Sequence, residues 1–234
     1  MEKMKLFCLP YAGGSAALYM KWKSFLHPSI HIVPIELAGR GKRLSEPFYS
    51  DIEQAVHDLY EKIKGELDEL PYALFGHSMG GLLAFELAHK IQLQGHIAPT
   101  IIFLSGKNPP HSQNQRDIHH LPNKELINEI FKMGGTPKEI LQHDELVEML
   151  IPILRADFTL VENYRYNKRK EILDCDLVVM NGREDGLTQD SDMKEWSRYT
   201  KREMRTYHID GGHFFINEHL ESVVNLINTE LIKI

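Results

Sequence analysis

The chain has 234 residues, 42% hydrophobic and 26% charged, with a formal net charge of -6 and a pI near 6.1. This composition is that of a soluble globular protein with a buried core, and it excludes disorder and collagen-like repeats. The acidic balance offers no footprint for nucleic acid or an anionic membrane, and no apolar run reaches the roughly 18 residues of a membrane span.

The opening "MEKMKLFCLPYAGGSAA" has an apolar stretch of only "LFCL" before Pro10, too short for a secretory signal. "MKLFCL" reads as a strand, "SAALYMKWKSFL" as a helix and "IHIVPI" as a second strand. "DIEQAVHDLYEKIKGEL" reads as a helix, "YALF" as a strand, "GLLAFELAHKI" as a helix and "TIIFLS" as a strand. The alternation resumes after residue 170 with "CDLVVMNG", "DSDMKEWSRYT", "EMRTYHI" and the closing "NEHLESVVNLINTELIKI". It predicts a single α/β domain over 1–234, a mostly parallel sheet flanked by helices. Between 108 and 166 the pattern is helical only: "NKELINEIFKM", "TPKEILQ", "DELVEML" and "PILRADFTLVENY". We read this stretch as a helical insertion over the sheet. In its first helix Leu126, Ile127, Ile130 and Met133 fall near helical spacing, an apolar face that must cover something. The two cysteines, Cys8 and Cys175, sit in strand-like runs without metal-ligand spacing, which predicts buried thiols and a cytoplasmic location.

The chemistry concentrates at "FGHSMGG", where Ser78 lies in G-x-S-x-G between a strand and a helix. Such a serine stands at the carboxyl edge of the sheet, and Gly76 and Gly80 relieve the crowding of the turn. The bland reading is an ordinary glycine turn or helix N-cap. A serine nucleophile needs a base, and the base an acid. In the chain order serine, acid, histidine, the base is His213 in "IDGGHFFINE", where two glycines follow a strand and precede the last helix. The acid is Asp185 in "NGREDGL", with its neighbour Glu184 as the rival. Two backbone amides are needed for the oxyanion: Met79, after the serine, and Ala12 in the glycine-rich loop after the first strand, with Gly13 next in line. No G-K-[ST] or G-x-G-x-x-G accompanies these glycines, which argues against nucleotide binding. The pair His119 and His120 reads as a polar loop, and no metal site is expected.

Taken together these residues resemble the type II thioesterases of nonribosomal peptide and polyketide synthesis, a branch of the α/β-hydrolases. "LPYAGGSA" resembles the family's opening motif, "ELAGRGKRLSEP" its P-G-R-x-x-R segment and "GHSMGG" its nucleophile elbow. "LPNKELINEIFKMGGTPKEIL" and "LRADFTLVENYRY" resemble its lid, and "NGREDGLT" and "DGGHFF" its acid and histidine loops. Ala38 departs from the family's proline before Gly-Arg, which loosens that turn. The resemblance implies an α/β-hydrolase fold with a helical lid and a Ser78, His213, Asp185 triad. It further implies editing: hydrolysis of wrong or stalled acyl groups from the phosphopantetheine arm of acyl or peptidyl carrier protein domains. The chain is expected to act as a monomer, with no metal and no cofactor of its own, the pantetheine belonging to the substrate. The alternatives are a fatty-acyl chain-terminating thioesterase or general carboxylesterase with the same triad, and a binding module that kept the fold without the chemistry.

Overall fold

Six strands form one sheet in the order β2-β1-β3-β4-β5-β6, with every neighbouring pair parallel. They are β1 Met4–Leu9, β2 Ile30–Pro34, β3 Tyr72–His77, β4 Ile101–Ser105, β5 Asp176–Gly182 and β6 Met204–Ile209. The computed structural model describes residues 3–112, 117–134, 143–169, 171–188 and 190–233. Every residue of β1, β3 and β4 is buried, as a parallel sheet covered on both faces requires. Because side chains alternate along a strand, the two faces build separate cores. Phe7, Leu9, Leu74, Ile102, Leu104 and Val179 point to one, under the helices α1 Ile52–Ile63 and α2 Met79–Leu93. Leu6, Cys8, Phe75, Phe103, Val178 and Met180 point to the other, against Tyr19, Trp22 and the closing helix α7 Leu220–Ile232. Phe75 is fully buried among Tyr19, Trp22 and Phe103, so truncating it to alanine should cost about 3–5 kcal/mol.

Two expected helices differ in kind. Ala16–Ser24 is a 3-10 helix, and its three-residue turn places Tyr19 and Trp22 one above the other on the buried face. After β5, the short helix α5 Asp190–Met193 passes directly into a 3-10 segment, Lys194–Tyr199.

Between β4 and β5 the chain leaves the sheet and forms α3 Asn123–Met133 and α4 Asp144–Asn163. Gly134, at φ 88°, ends α3. The expected helix at 136–142 lies outside the described residues. The stretches expected as separate helices on either side of Pro152 form the single helix α4. Proline removes the bond to the carbonyl of Glu148, and that residue is exposed, so water can replace it. Leu126, Ile127 and Ile130 of α3 pack with Leu154 of α4 and Ile118, a third cluster apart from the two sheet cores. Short helix α6 Phe215–Glu218 follows the histidine loop. No described helix is long and apolar enough to cross a membrane.

The turn at Ala38 is tied rather than loose. Its N–H donates to the Tyr49 hydroxyl at 3.1 Å, a bond proline could not make. Tyr49 in turn donates to Asp58 at 2.6 Å, and Arg43 reaches Tyr49 and Asp58 at 3.0 and 2.8 Å.

Candidate active site

The carboxyl edge of the sheet carries the site, because β3 turns into α2 there with a single residue between them. Ser78 is that residue, and at φ 54° and ψ -113° it is the one non-glycine residue at positive φ among the described residues. Such a conformation costs about 1–3 kcal/mol and persists where its surroundings over-determine it. Its N–H donates to Ser105 O at 2.8 Å, and its carbonyl accepts from Gly81 N–H at 3.0 Å. The flanking glycines are obligatory. A Cβ on Gly76 would sit 1.9 Å from Gly80 O, and one on Gly80 would sit 2.2 Å from Leu9 O.

The ladder between β5 and β6 continues beyond the strands and joins the two other loops. Arg183 N–H donates to Ile209 O at 2.9 Å and Glu184 N–H to Gly211 O at 3.0 Å. Gly182 lies so close to the carbonyls of Gly211 and Gly212 that a Cβ there would fall within 2.5 Å of both. This pairing sets Asp185 against His213, Oδ2 to Nδ1 at 2.8 Å, with both side chains buried. The other oxygen, Oδ1, accepts from Leu187 N–H at 2.8 Å. Burial pushes the Asp185 carboxyl up, but the bond to and charge of His213, with Leu187 N–H and Thr188, outweigh it and hold the group below the ordinary value. Glu184, the rival acid, is exposed.

Beneath His213 lies His77, fully buried, with ring centroids 4.9 Å apart and Nδ1 bonded to the Ser105 hydroxyl at 2.9 Å. Burial first, then proximity to His213, pushes His77 well below its ordinary value. It is therefore neutral and does not repel a positive charge forming on His213. In the sequence His77 stands between the expected strand "YALF" and Ser78, with no signal of its own.

Met79 opens α2, where the first N–H groups have no partner inside the helix. Ala12 lines the same cavity as Ser78, Met79 and His213. Gly13, the second choice for the loop amide, is already engaged: its N–H donates to Asp157 Oδ2 of α4 at 2.7 Å. Asp157 is buried, and Arg40 meets it with two bonds of 2.6 Å. Arg40 falls in the P-G-R-x-x-R segment and Asp157 in the lid stretch, but nothing in the sequence pairs them or gives either a role. The usable signal was a carboxylate on the same helical stripe as Leu150 and Leu154.

The cavity measures about 690 Å³, in the range of small-molecule sites. Its floor is the sheet edge, and Ile130 and Met133 of α3 with Leu150, Leu154 and Phe158 of α4 form an apolar roof. Lys107, after β4, also lines it, and burial pushes its ammonium down to about 8. His119 has a structural role: its Nδ1 and N–H meet Glu162 of α4 at 2.5 and 3.1 Å, and Arg155 donates to its carbonyl. His119 and His120, expected as a polar loop, have a carboxylate beside them, since Asp117 brings an oxygen within 4.8 Å of a ring nitrogen of each. Asp117 precedes the turn that Leu121 N–H closes onto Ile118 O at 3.1 Å, and its Oδ1 lies 3.6 Å from His119 Nδ1 and 3.7 Å from His120 Nε2.

A strained serine, a histidine carrying a buried carboxylate and a roofed cavity are the equipment of acyl transfer. Comparison with known proteins agrees. The thioesterase domain family model matches residues 4–231. Linear gramicidin dehydrogenase LgrE of Brevibacillus parabrevis is 36% identical over 230 residues, 97% of this chain and 87% of the relative. Its name notwithstanding, this chain has no G-x-G-x-x-G dinucleotide motif. The medium-chain S-acyl fatty acid synthase thioesterase of Homo sapiens is 32% identical, over 91% of this chain and 80% of that one. The crystal structure of ClbQ from the colibactin NRPS/PKS pathway superposes with a TM-score of 0.95 at 38% identity, covering 99% of this chain and 98% of ClbQ. The chain belongs to the thioesterase family and is a thioester hydrolase with an α/β-hydrolase fold.

Proposed function

We propose that the protein is a type II thioesterase that removes aberrant or stalled acyl groups from the phosphopantetheine arm of carrier protein domains in nonribosomal peptide or polyketide synthesis. The observation that carries this reading is the roofed cavity with Ser78 and the His213–Asp185 pair at its floor. A long, thin arm can enter such a channel, while α3 and α4 exclude water and contact the arm away from the thioester. Similarity to ClbQ, of an NRPS/PKS pathway, and to LgrE, named for linear gramicidin, supports the setting.

In this reading His213 takes the Ser78 hydroxyl proton as the oxygen attacks the thioester carbon. Asp185 holds the imidazole with its proton on Nδ1 and balances the imidazolium. The amides of Met79 and Ala12 take the negative charge of the tetrahedral oxygen. The C–S bond then breaks, the pantetheine sulfur leaves as a thiol with the proton from His213, and the acyl group stays on Ser78. His213 next deprotonates water, which attacks the ester; the serine oxygen recovers the proton and the acid departs. Every proton moves between chain, substrate and water, so the scheme calls for no metal or bound cofactor.

The test compares kcat/KM for one acyl group on a holo-carrier protein and on a minimal pantetheine mimic. The carrier-borne substrate should be preferred by at least about tenfold, and equal values would remove the carrier from the account. Preference for a free medium- or long-chain fatty-acyl thioester over both would favour chain termination, a reading in line with the human relative, whose name is that of a medium-chain fatty acid synthase thioesterase.

A further inference from the structure

We propose that Asp157 of the roof is a positioning residue of the oxyanion site, holding the loop after β1 so that the Ala12 amide faces the reacting carbonyl. The proposal rests on the serine thioesterase reading given above. Three bonds fix the loop. Gly14 N–H closes a turn onto Tyr11 O at 2.9 Å, Gly13 N–H is taken by Asp157 Oδ2 at 2.7 Å, and Gly14 O accepts from Arg40 at 3.1 Å. Gly13 is held at φ 78°, and its N–H is committed to Asp157 of α4, which leaves the preceding amide, that of Ala12, as this loop's candidate donor. Leu154, one helical turn before Asp157, packs on Gly13 so closely that a Cβ there would lie 2.5 Å from its methyl carbon.

The same face of α4 thus supplies an acceptor and a packing surface to this one loop. Arg40, on the loop after β2, grips both oxygens of Asp157 and is itself buried. A buried ion pair is a poor device for stability alone, because the cost of desolvating both charges offsets most of their attraction. Here the carboxylate has a further task, since Oδ2 serves Arg40 and Gly13 together. The consequence is coupling: the oxyanion amide is in place when α4 is docked, so roof and reaction centre form one unit.

The test separates geometry from charge with two paired variants, neither of which leaves a buried charge alone. Arg40→Gln with Asp157→Asn keeps an acceptor for Gly13; Arg40→Met with Asp157→Leu removes it. Positioning predicts that the first pair stays within about tenfold of wild-type kcat, while the second loses about 10²–10³-fold, the cost of one oxyanion donor. In the second pair the affinity of a pantetheine trifluoromethyl ketone, which forms a tetrahedral oxyanion on the serine, should fall in parallel with kcat. Affinity for the unreactive thioether analogue should stay within about threefold. Equal losses in the two pairs, or a ketone affinity falling no more than the thioether affinity, would overturn the proposal. If the apolar pair does not fold, amide NMR of the wild-type protein decides. Binding of the ketone should shift the Ala12 and Met79 amides and leave Gly13 in place, and a Gly13 amide that moves to the ligand overturns the assignment. Wild-type protein that neither hydrolyses the thioester nor binds the ketone would instead sink the serine thioesterase reading and this proposal with it.

Discussion

Replacing Asp185 by asparagine changes one atom of the side chain, and the surrounding bonds dictate which. Leu187 N–H donates to Oδ1 at 2.8 Å, so the amide oxygen of the variant takes that place. Its NH2 then falls where Oδ2 was, 2.8 Å from His213 Nδ1, and presents a donor to that nitrogen. Nδ1 must accept, the ring proton moves to Nε2, and the imidazole can no longer remove a proton from Ser78. Flipping the amide would restore the productive tautomer but set NH2 against the Leu187 N–H, at about 1–3 kcal/mol for the lost bond. At about 1.4 kcal/mol per factor of ten, that leaves the active form outnumbered roughly 5- to 150-fold. The flipped form also lacks the negative charge that balances the buried imidazolium, so the full loss in kcat should approach about 10³–10⁴. The assay is thiol release from an acyl-pantetheine thioester at pH 7.5, with circular dichroism melting to verify the fold. Glu184→Gln, at an exposed position, should remain within about threefold of wild type. A folded Asp185→Asn enzyme within tenfold of wild type, or a Glu184→Gln enzyme more damaged than it, would refute the argument.

Gly76→Ala should reduce kcat about 100-fold, because a Cβ 1.9 Å from Gly80 O forces β3 and α2 apart by about 1 Å and displaces the serine between them; wild-type kcat in the folded variant would contradict this. Tyr49→Phe removes a hydroxyl that serves Ala38, Arg43 and Asp58, so stability should fall by about 1–2 kcal/mol and Tm by about 3–6 °C with kcat unchanged; calorimetry and steady-state kinetics check both halves. Lys107 has a folded value near 8 against 10.5 for the free side chain, so between these the unfolded chain binds more protons and stability rises with pH. In Lys107→Met that contribution, at most about 3 kcal/mol, should vanish, read as a flatter change in urea midpoint from pH 7.5 to 10.5 than in wild type.

The elements carrying local signals were legible in the sequence. The strand, Ser78 and helix are consecutive, and the glycines that permit the turn are the ones its crowding demands. Asp185 could be preferred to Glu184 by sequence, but the reason lies in the continued β5–β6 ladder, which turns one carboxylate inward and leaves the other outside. Arg40 and Asp157 are 117 residues apart and meet only in the folded chain, so no spacing announces them. Pro152 misled in the opposite direction: a breaker by propensity, it is tolerated in α4 because the carbonyl it frees belongs to exposed Glu148. His77 was illegible for a third reason: the strand extends two residues beyond the expected "YALF", and the bond to Ser105 and the ring contact with His213 that give it a place exist only in the fold.

The central claim is that the acyl group passes through Ser78. Its most direct test is rapid quenching of the enzyme with an acyl-pantetheine thioester, followed by intact mass and peptide mapping. The account predicts one acyl equivalent on the peptide containing Ser78, formed in step with thiol release, and neither adduct nor turnover in Ser78→Ala. Undiminished hydrolysis by the folded Ser78→Ala protein, or an acyl adduct on another residue, would contradict it.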